Sequence, residues 1–187
     1  RINLDQLIIG DKNALVVAAR INGYGNEYET RVPCPSCNSV VEFMFDLDEI
    51  HIKEFEEDED LMVSLTSNNT FRVELPKSRA TVEVKPLTGA DERFIAQQSE
   101  RRKKNKLADN ALTTQLKRMI CSVNGDDSQG SISKFVDSLP AFDSRFLRGT
   151  YASFVPDIDM KQDFNCSECG HEQTMEVPLT ADFFWPR

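Results

Sequence analysis

The sequence predicts an α+β protein built from two related units, each running helix, helix, strand, cysteine knuckle, strand, and joined by a hairpin and a helix pair. Three observations lead there. Four of the five cysteines form two Cys-x-x-Cys pairs, Cys34/Cys37 and Cys166/Cys169. The offset of 132 positions that carries Cys34 onto Cys166 also superposes, without a gap, Asp5 on Asp137, Leu7 on Leu139, Asp11 on Asp143, Leu15 on Leu147 and Leu47 on Leu179, and self-similarity at one offset is the mark of a repeat. Around both knuckles the apolar residues alternate with period two, whereas the segments before them carry helical spacing. The organisation is then a first unit at 1–52, an acidic linker at 53–70, a hairpin plus helix pair at 71–130, and a second unit with an aromatic C-terminus at 131–187.

In chain order, Arg1 stands where an initiator Met is expected and opens onto a helical pattern, so residues upstream are expected to be missing. Asp11 precedes Ala14, Leu15, Ala18 and Ala19 on one helical face and is placed as an N-cap, because its carboxylate accepts hydrogen bonds from the first free amides. Strands are expected at 27–32 and 40–47, with Phe43, Phe45 and Leu47 on one face. Asn38, just past the second cysteine of its knuckle, and Gly170, in the same place in the other, suit a left-handed backbone. Glu54, Glu56, Glu57, Asp58, Glu59 and Asp60 form a solvated connector; a Ca2+ loop would need a glycine at its sharp turn and alternating ligands. Strands at 71–75 and 81–86 flank a turn at 76–79. Thr88-Gly89-Ala90-Asp91 has the capping-box pattern and starts a helix that runs into the basic stretch 101–106. A second helix, 110–123, carries the stripe Leu112, Leu116, Met119, Ile120 and Val123, holds Cys121 as a small core residue, and stops at Asn124-Gly125. In the second unit Asp143 is placed as the N-cap before Phe146, Leu147, Thr150 and Tyr151, with strands at 159–164 and 172–179.

Composition narrows the function. The chain has 187 residues, 40% hydrophobic and 28% charged, which is the balance of a folded globular protein. Its longest apolar run, 14–19, is far short of a membrane span. A net charge of -9 disfavours general nucleic-acid binding. The basic run Arg101, Arg102, Lys103, Lys104 and Lys106 is read as a solvated helix end, with an acidic docking partner or a nucleic-acid patch as the sharper uses. An odd cysteine count with two Cys-x-x-Cys pairs suits metal ligation in a reducing compartment better than a disulfide framework. One structural zinc held by Cys34, Cys37, Cys166 and Cys169 is the leading use. The alternatives are free thiols, pairing with an upstream cysteine, or redox chemistry, and neither pair opens a helix after a strand as a redox thiol does. His171 matches Ser39 in the repeat and is read as a surface strand residue; His51 has no second ligand nearby. No Gly-rich phosphate loop and no nucleophile–base arrangement is present, so no enzyme is expected. Phe183, Phe184 and Trp185 either fold back on the core or anchor a partner. The rival reading is a zinc-ribbon nucleic-acid binder that uses 101–106.

A set of motifs carries a family resemblance. These are Lys85-Pro86-Leu87-Thr88-Gly89-Ala90-Asp91-Glu92, the pair Gln115-Leu116-Lys117-Arg118 and Ser122-Val123-Asn124-Gly125, the segment Leu139-Pro140-Ala141-Phe142-Asp143-Ser144-Arg145-Phe146-Leu147-Arg148, the knuckle from Cys166 to Gly170, and the ending Asp182-Phe183-Phe184-Trp185-Pro186. Together they resemble the T4-like phage baseplate hub assembly proteins over about 71–187, and over the front half through the first Cys-x-x-Cys and an Asp-Leu-Asp-Glu stretch. The resemblance implies a hub assembly protein or a resident baseplate subunit of a contractile-tailed virus, made in the host cytoplasm. It also implies other baseplate or tail proteins as partners and an upstream half-repeat, and it transfers no catalytic residue.

Overall fold

The computed structural model describes residues 3–53 and 63–185. The acidic connector expected at 54–60 lies outside the described residues. The fold is mixed helix and strand. Its residues divide into two compact units interleaved along the chain: one takes residues up to Lys12 and then through to Pro156, and the other takes Asn13–Lys53 and the chain from Asp157 on.

In the first of these, four strands form an antiparallel sheet. They are β4 (Val63–Leu65), β5 (Phe71–Glu74), β6 (Thr81–Val84) and β7 (Ile120–Val123), in the order β4-β5-β6-β7. The expected hairpin is present as β5 and β6, with Val73 opposite Val82, and the sheet is wider than the hairpin because each edge gains a strand. One of those edges corrects the helix expected at 110–123. Helix α3 (Ala111–Met119) ends four residues earlier, and Ile120, Ser122 and Val123 pair with β6 instead, with Cys121 at an irregularity of the ladder. Helical spacing cannot separate an apolar stripe that continues a helix from one that turns into a short buried strand, and the β-branched Ile120 and Val123 favour the strand.

Helices α2 (Gly89–Lys104), α3, α4 (Gln129–Ser138) and α5 (Ala141–Phe154) surround this sheet. Val73, Val82, Val84, Leu116, Met119, Ile132, Leu147 and Phe154 form its core. The capping box at α2 is complete: Thr88 Oγ1 accepts from the Asp91 amide, and the Asp91 carboxylate accepts from the Thr88 amide. Asp91 is buried, and its carboxylate also accepts from Lys85 Nζ (3.0 Å) and Arg118 Nε (2.7 Å). Ahead of α2, the turn Leu4–Gln6 and residues 7–9 pair with the chain entering the helix. Ile9 N donates to Leu87 O and Gly89 N donates to Leu7 O.

Both expected aspartate caps are displaced. Helix α1 (Ile9–Tyr24) and α5 begin two residues before Asp11 and Asp143, which therefore sit in the first turn, where a carboxylate still favours the helix dipole. Asp143 is fully buried and caps something else. Its two oxygens accept from the amides of Lys77 (2.9 Å) and Ser78 (2.8 Å), in the turn between β5 and β6.

The second unit holds two hairpins, β1 (Glu27–Pro33) with β2 (Val40–Asp46), and β9 (Lys161–Asn165) with β10 (Glu172–Glu176). A third pairing joins β3 (His51–Lys53) to β8 (Asp157–Asp159). β1 alternates exposed and buried along its length, which sends Tyr28, Thr30 and Val32 inward. Tyr28, Val32, Val41, Phe45, Leu47, Phe164, Val177 and Phe183 pack into one core, each large side chain contributing about 1.5–3 kcal/mol by leaving water. The 132-position offset maps the pairing Pro33 with Val40 onto Asn165 with Glu172, and Val32 with Val41 onto Phe164 with Gln173. No helix among the described residues is long and apolar enough to cross a membrane.

Candidate metal centre

Each Cys-x-x-Cys pair occupies the tight turn of its hairpin, and the two turns have the same hydrogen-bond plan. In the first, Cys34 N donates to Ser39 O and Asn38 N to Cys34 O, both 2.9 Å; in the second, Cys166 N donates to His171 O and Gly170 N to Cys166 O, again both 2.9 Å. The turns close through a left-handed residue as expected, Asn38 at φ 57° and Gly170 at φ 69°. This geometry aims both sulfurs of each pair out of one end of the hairpin.

The two hairpins are held so that these ends converge. Gln162, buried among apolar neighbours, accepts from Asp46 N (3.1 Å) through Oε1 and donates to Asp46 O through Nε2, so one side-chain amide pairs with the backbone of the other hairpin. Phe43 meets Phe164 edge to face at 5.1 Å between ring centres. Tyr28 donates from its hydroxyl to Pro178 O (2.9 Å), beside Thr180 Oγ1 at 2.9 Å, and Phe183 packs edge-on against its ring. None of these ties is carried by a sequence motif. They depend on residues more than a hundred positions apart.

As a result the Sγ atoms of Cys34, Cys37, Cys166 and Cys169 all lie within 4.8 Å of one another. The closest contacts cross between hairpins, Cys34 with Cys169 and Cys37 with Cys166, each 3.8 Å. Four thiolates about 2.3 Å from a tetrahedral ion lie about 3.8 Å from one another, which the two contacts between hairpins match. Cys34 and Cys166 are buried, while Cys37 and Cys169 face solvent, which leaves a path for an ion to enter. The Ser39 side chain and backbone hydrogen-bond to the Cys37 sulfur and hold its thiol down at about 6. The His171 backbone pulls the Cys169 thiol the same way, but desolvation and the three neighbouring sulfurs push it up to about 12. Cys37 is thus pulled towards the thiolate and Cys169 away from it, and a cation binding all four sulfurs would displace protons.

The histidines stay outside the cluster. The His171 backbone closes the second knuckle, and His51 lies exposed on β3, opposite Asp159. Cys121 is half-buried on β7, and burial raises its thiol. The aromatic ending divides: Phe183 is fully buried in the core, whereas Phe184 is 42% and Trp185 72% exposed. Arg101, Lys103 and Lys104 are exposed on the last turns of α2, and Arg102 is half-buried, donating to Ala108 O at 2.7 Å.

The family model described as T4 bacteriophage base plate protein matches residues 2–185 of this chain. No curated protein and no solved structure matches it significantly. With nearly its whole length inside that one match, the chain belongs to the T4 bacteriophage base plate protein family, a family of phage baseplate structural proteins.

Proposed function

We propose that this chain is a non-enzymatic component of the baseplate hub, acting in assembly or as a resident subunit by protein–protein recognition, and that Cys34, Cys37, Cys166 and Cys169 hold one structural zinc ion. The convergence of four sulfurs on tetrahedral spacing carries the metal assignment. A site of four thiolates favours zinc among structural ions. The two hairpins are copies of one element: their strands and turns superpose at a single offset, and the buried residues of one, Thr30, Val32 and Cys34, match Gln162, Phe164 and Cys166 of the other.

In this reading the ion fixes one hairpin against the other before any partner arrives, so little ordering is left to be done on binding. Exposed Phe184 and Trp185, and the cations of α2, are the surfaces offered to other baseplate or tail proteins. Assembly takes place in the host cytoplasm, where thiols stay reduced.

The test is metal content on protein purified under reducing conditions, for the parent and for Cys34→Ser, Cys37→Ser, Cys166→Ser and Cys169→Ser. The expected result is one zinc per chain, lost or strongly weakened in each variant. Zinc that survives the loss of either whole pair would overturn the shared site.

A further inference from the structure

Among the described residues the two compact units differ in charge balance, while the acidic residues at 54–60 belong to the unit without the two cysteine pairs. In the unit that holds the cysteines, the described residues include thirteen Asp and Glu against four Lys and Arg; in the other they include twelve against sixteen. The excess on each is concentrated. On the basic side, the last turns of α2 and the residues after it present Arg101, Lys103, Lys104 and Lys106, all exposed and none in an ion pair among the described residues. On the acidic side, the outer face of β1 and β2 sets Glu27 opposite Asp46, Glu29 opposite Met44 and Arg31 opposite Glu42. Arg31 is occupied by Glu42 at 3.5 Å, and Glu27 and Glu29 are in no ion pair among the described residues.

That face is concave. Tyr24, Glu27, Glu29, Met44 and Asp182 line a groove of about 470 Å³. Met44 is more than half exposed and offers a thioether to the aliphatic stem of a Lys or Arg, with carboxylates placed for its head group, while the Tyr24 ring beside it already carries the Arg20 guanidinium at 5.2 Å. Arg20, at the same groove, is buried and spends its charge on Gly25 O and Glu27 O.

We propose that the basic end of α2 on one copy of this chain docks on the acidic β1–β2 face of a second copy. The occupant is a second copy because the chain itself carries both complementary surfaces, with Arg101, Lys103, Lys104 and Lys106 on one and Glu27 and Glu29 on the other exposed and in no ion pair among the described residues. Because each copy carries both surfaces, two copies that satisfy both at once close as a twofold dimer, and contacts that do not close in this way propagate to a ring or an open filament. The proposal deepens the docking part of the proposed function and is independent of the metal; it is read by oligomeric state, not by zinc content or by capture of another tail protein.

The experiment is sedimentation of the zinc-loaded full chain, treated with nuclease, between about 0.05 and about 0.5 M NaCl, a range over which the screening length shrinks more than threefold. Association is expected at low salt, with at least a tenfold loss of affinity at high salt. Arg101→Glu/Lys103→Glu/Lys104→Glu and Glu27→Lys/Glu29→Lys should each be monomeric alone. Mixed together they should associate again, because the first keeps the acidic face and the second the basic end, and the two reversed surfaces are complementary as well. All five positions are exposed, and circular dichroism confirms folding; Gln replacements serve where a reversal perturbs it. A chain that stays monomeric at low salt overturns the proposal, as does association that both variants retain or a mixture that does not pair. If the low-salt species exists only before nuclease treatment, the basic end serves nucleic acid and the proposal falls.

Discussion

Asp143 shows how much a single side chain can do when it is buried with both oxygens engaged. Its carboxyl sits below the usual carboxylate range: burial pushes it up, but the amides of Lys77 and Ser78 and the Ser78 side chain outweigh that. Asp91 is also depressed, with burial opposed by hydrogen bonds from the Thr88 backbone, Lys85 and Arg118. A carboxyl whose pKa is lower folded than unfolded contributes stability above the unfolded value, near 3.9, and that contribution is lost as pH falls through the folded value. In the metal-free protein this contribution should therefore be constant above about pH 5 and be lost steeply below about pH 4, and a urea titration of the chelator-treated chain at several pH values should show Asp143→Asn flattening that fall. Asp143→Ala, which leaves two turn amides without their acceptor, should cost about 2–4 kcal/mol in the same measurement at neutral pH. Tyr28→Phe deletes one hydroxyl from the cysteine unit, where it meets Pro178 O and Thr180 Oγ1. The expected loss is about 1–2 kcal/mol with zinc content unchanged, and zinc lost along with stability would mean that Tyr28 holds the metal site itself.

Among the elements, α2 has the most demanding start. A Cβ at Gly89 would stand 3.0 Å from Leu4 O and 3.3 Å from the Asp5 Cα, both backbone atoms with little freedom to move. Gly89→Ala should cost about 1–3 kcal/mol by thermal melting even though alanine is the better helix former, and a neutral result would mean that the segment 3–9 yields easily. The start of this helix was legible in the sequence because a capping box is a local pattern, complete within four residues. The knuckles were legible for the same reason: spacing, turn chemistry and alternation sit together in about twenty residues around each cysteine pair. What was not legible is non-local. Asp143 resembles a helix cap until the hairpin turn, more than sixty positions away, is brought beneath it. Ile120 to Val123 continue a helical stripe until β6 offers them a ladder. The repeat itself reads clearly in strands and poorly in helices, since Leu15 is 46% exposed where its counterpart Leu147 is fully buried. The buried alternation of β1 is kept in β9, with Thr30, Val32 and Cys34 facing in like Gln162, Phe164 and Cys166, although Gln162 also reaches across to Asp46.

For the whole molecule, the proposed zinc ion is the lever to test. Chelation at neutral pH should lower the melting temperature of the transition reported by Trp185, the only tryptophan and a member of the cysteine unit, and added zinc should restore it. A melting curve indifferent to chelator would remove zinc from any part in stability. Because the ion replaces protons on sulfur, its affinity should drop as pH falls below about 7, seen as zinc release to a colorimetric indicator. The interleaved path of the chain has a further consequence, for synthesis. A ribosome delivers this polypeptide from the N-terminus, and the unit built on the four-stranded sheet is complete once Pro156 has emerged. The cysteine unit is not: β1 and β2 leave the exit tunnel early and wait, with Cys34 and Cys37 as half a binding site, until Cys166 and Cys169 follow. The nascent chain thus finishes its metal-free half first and closes its thiolate clasp last.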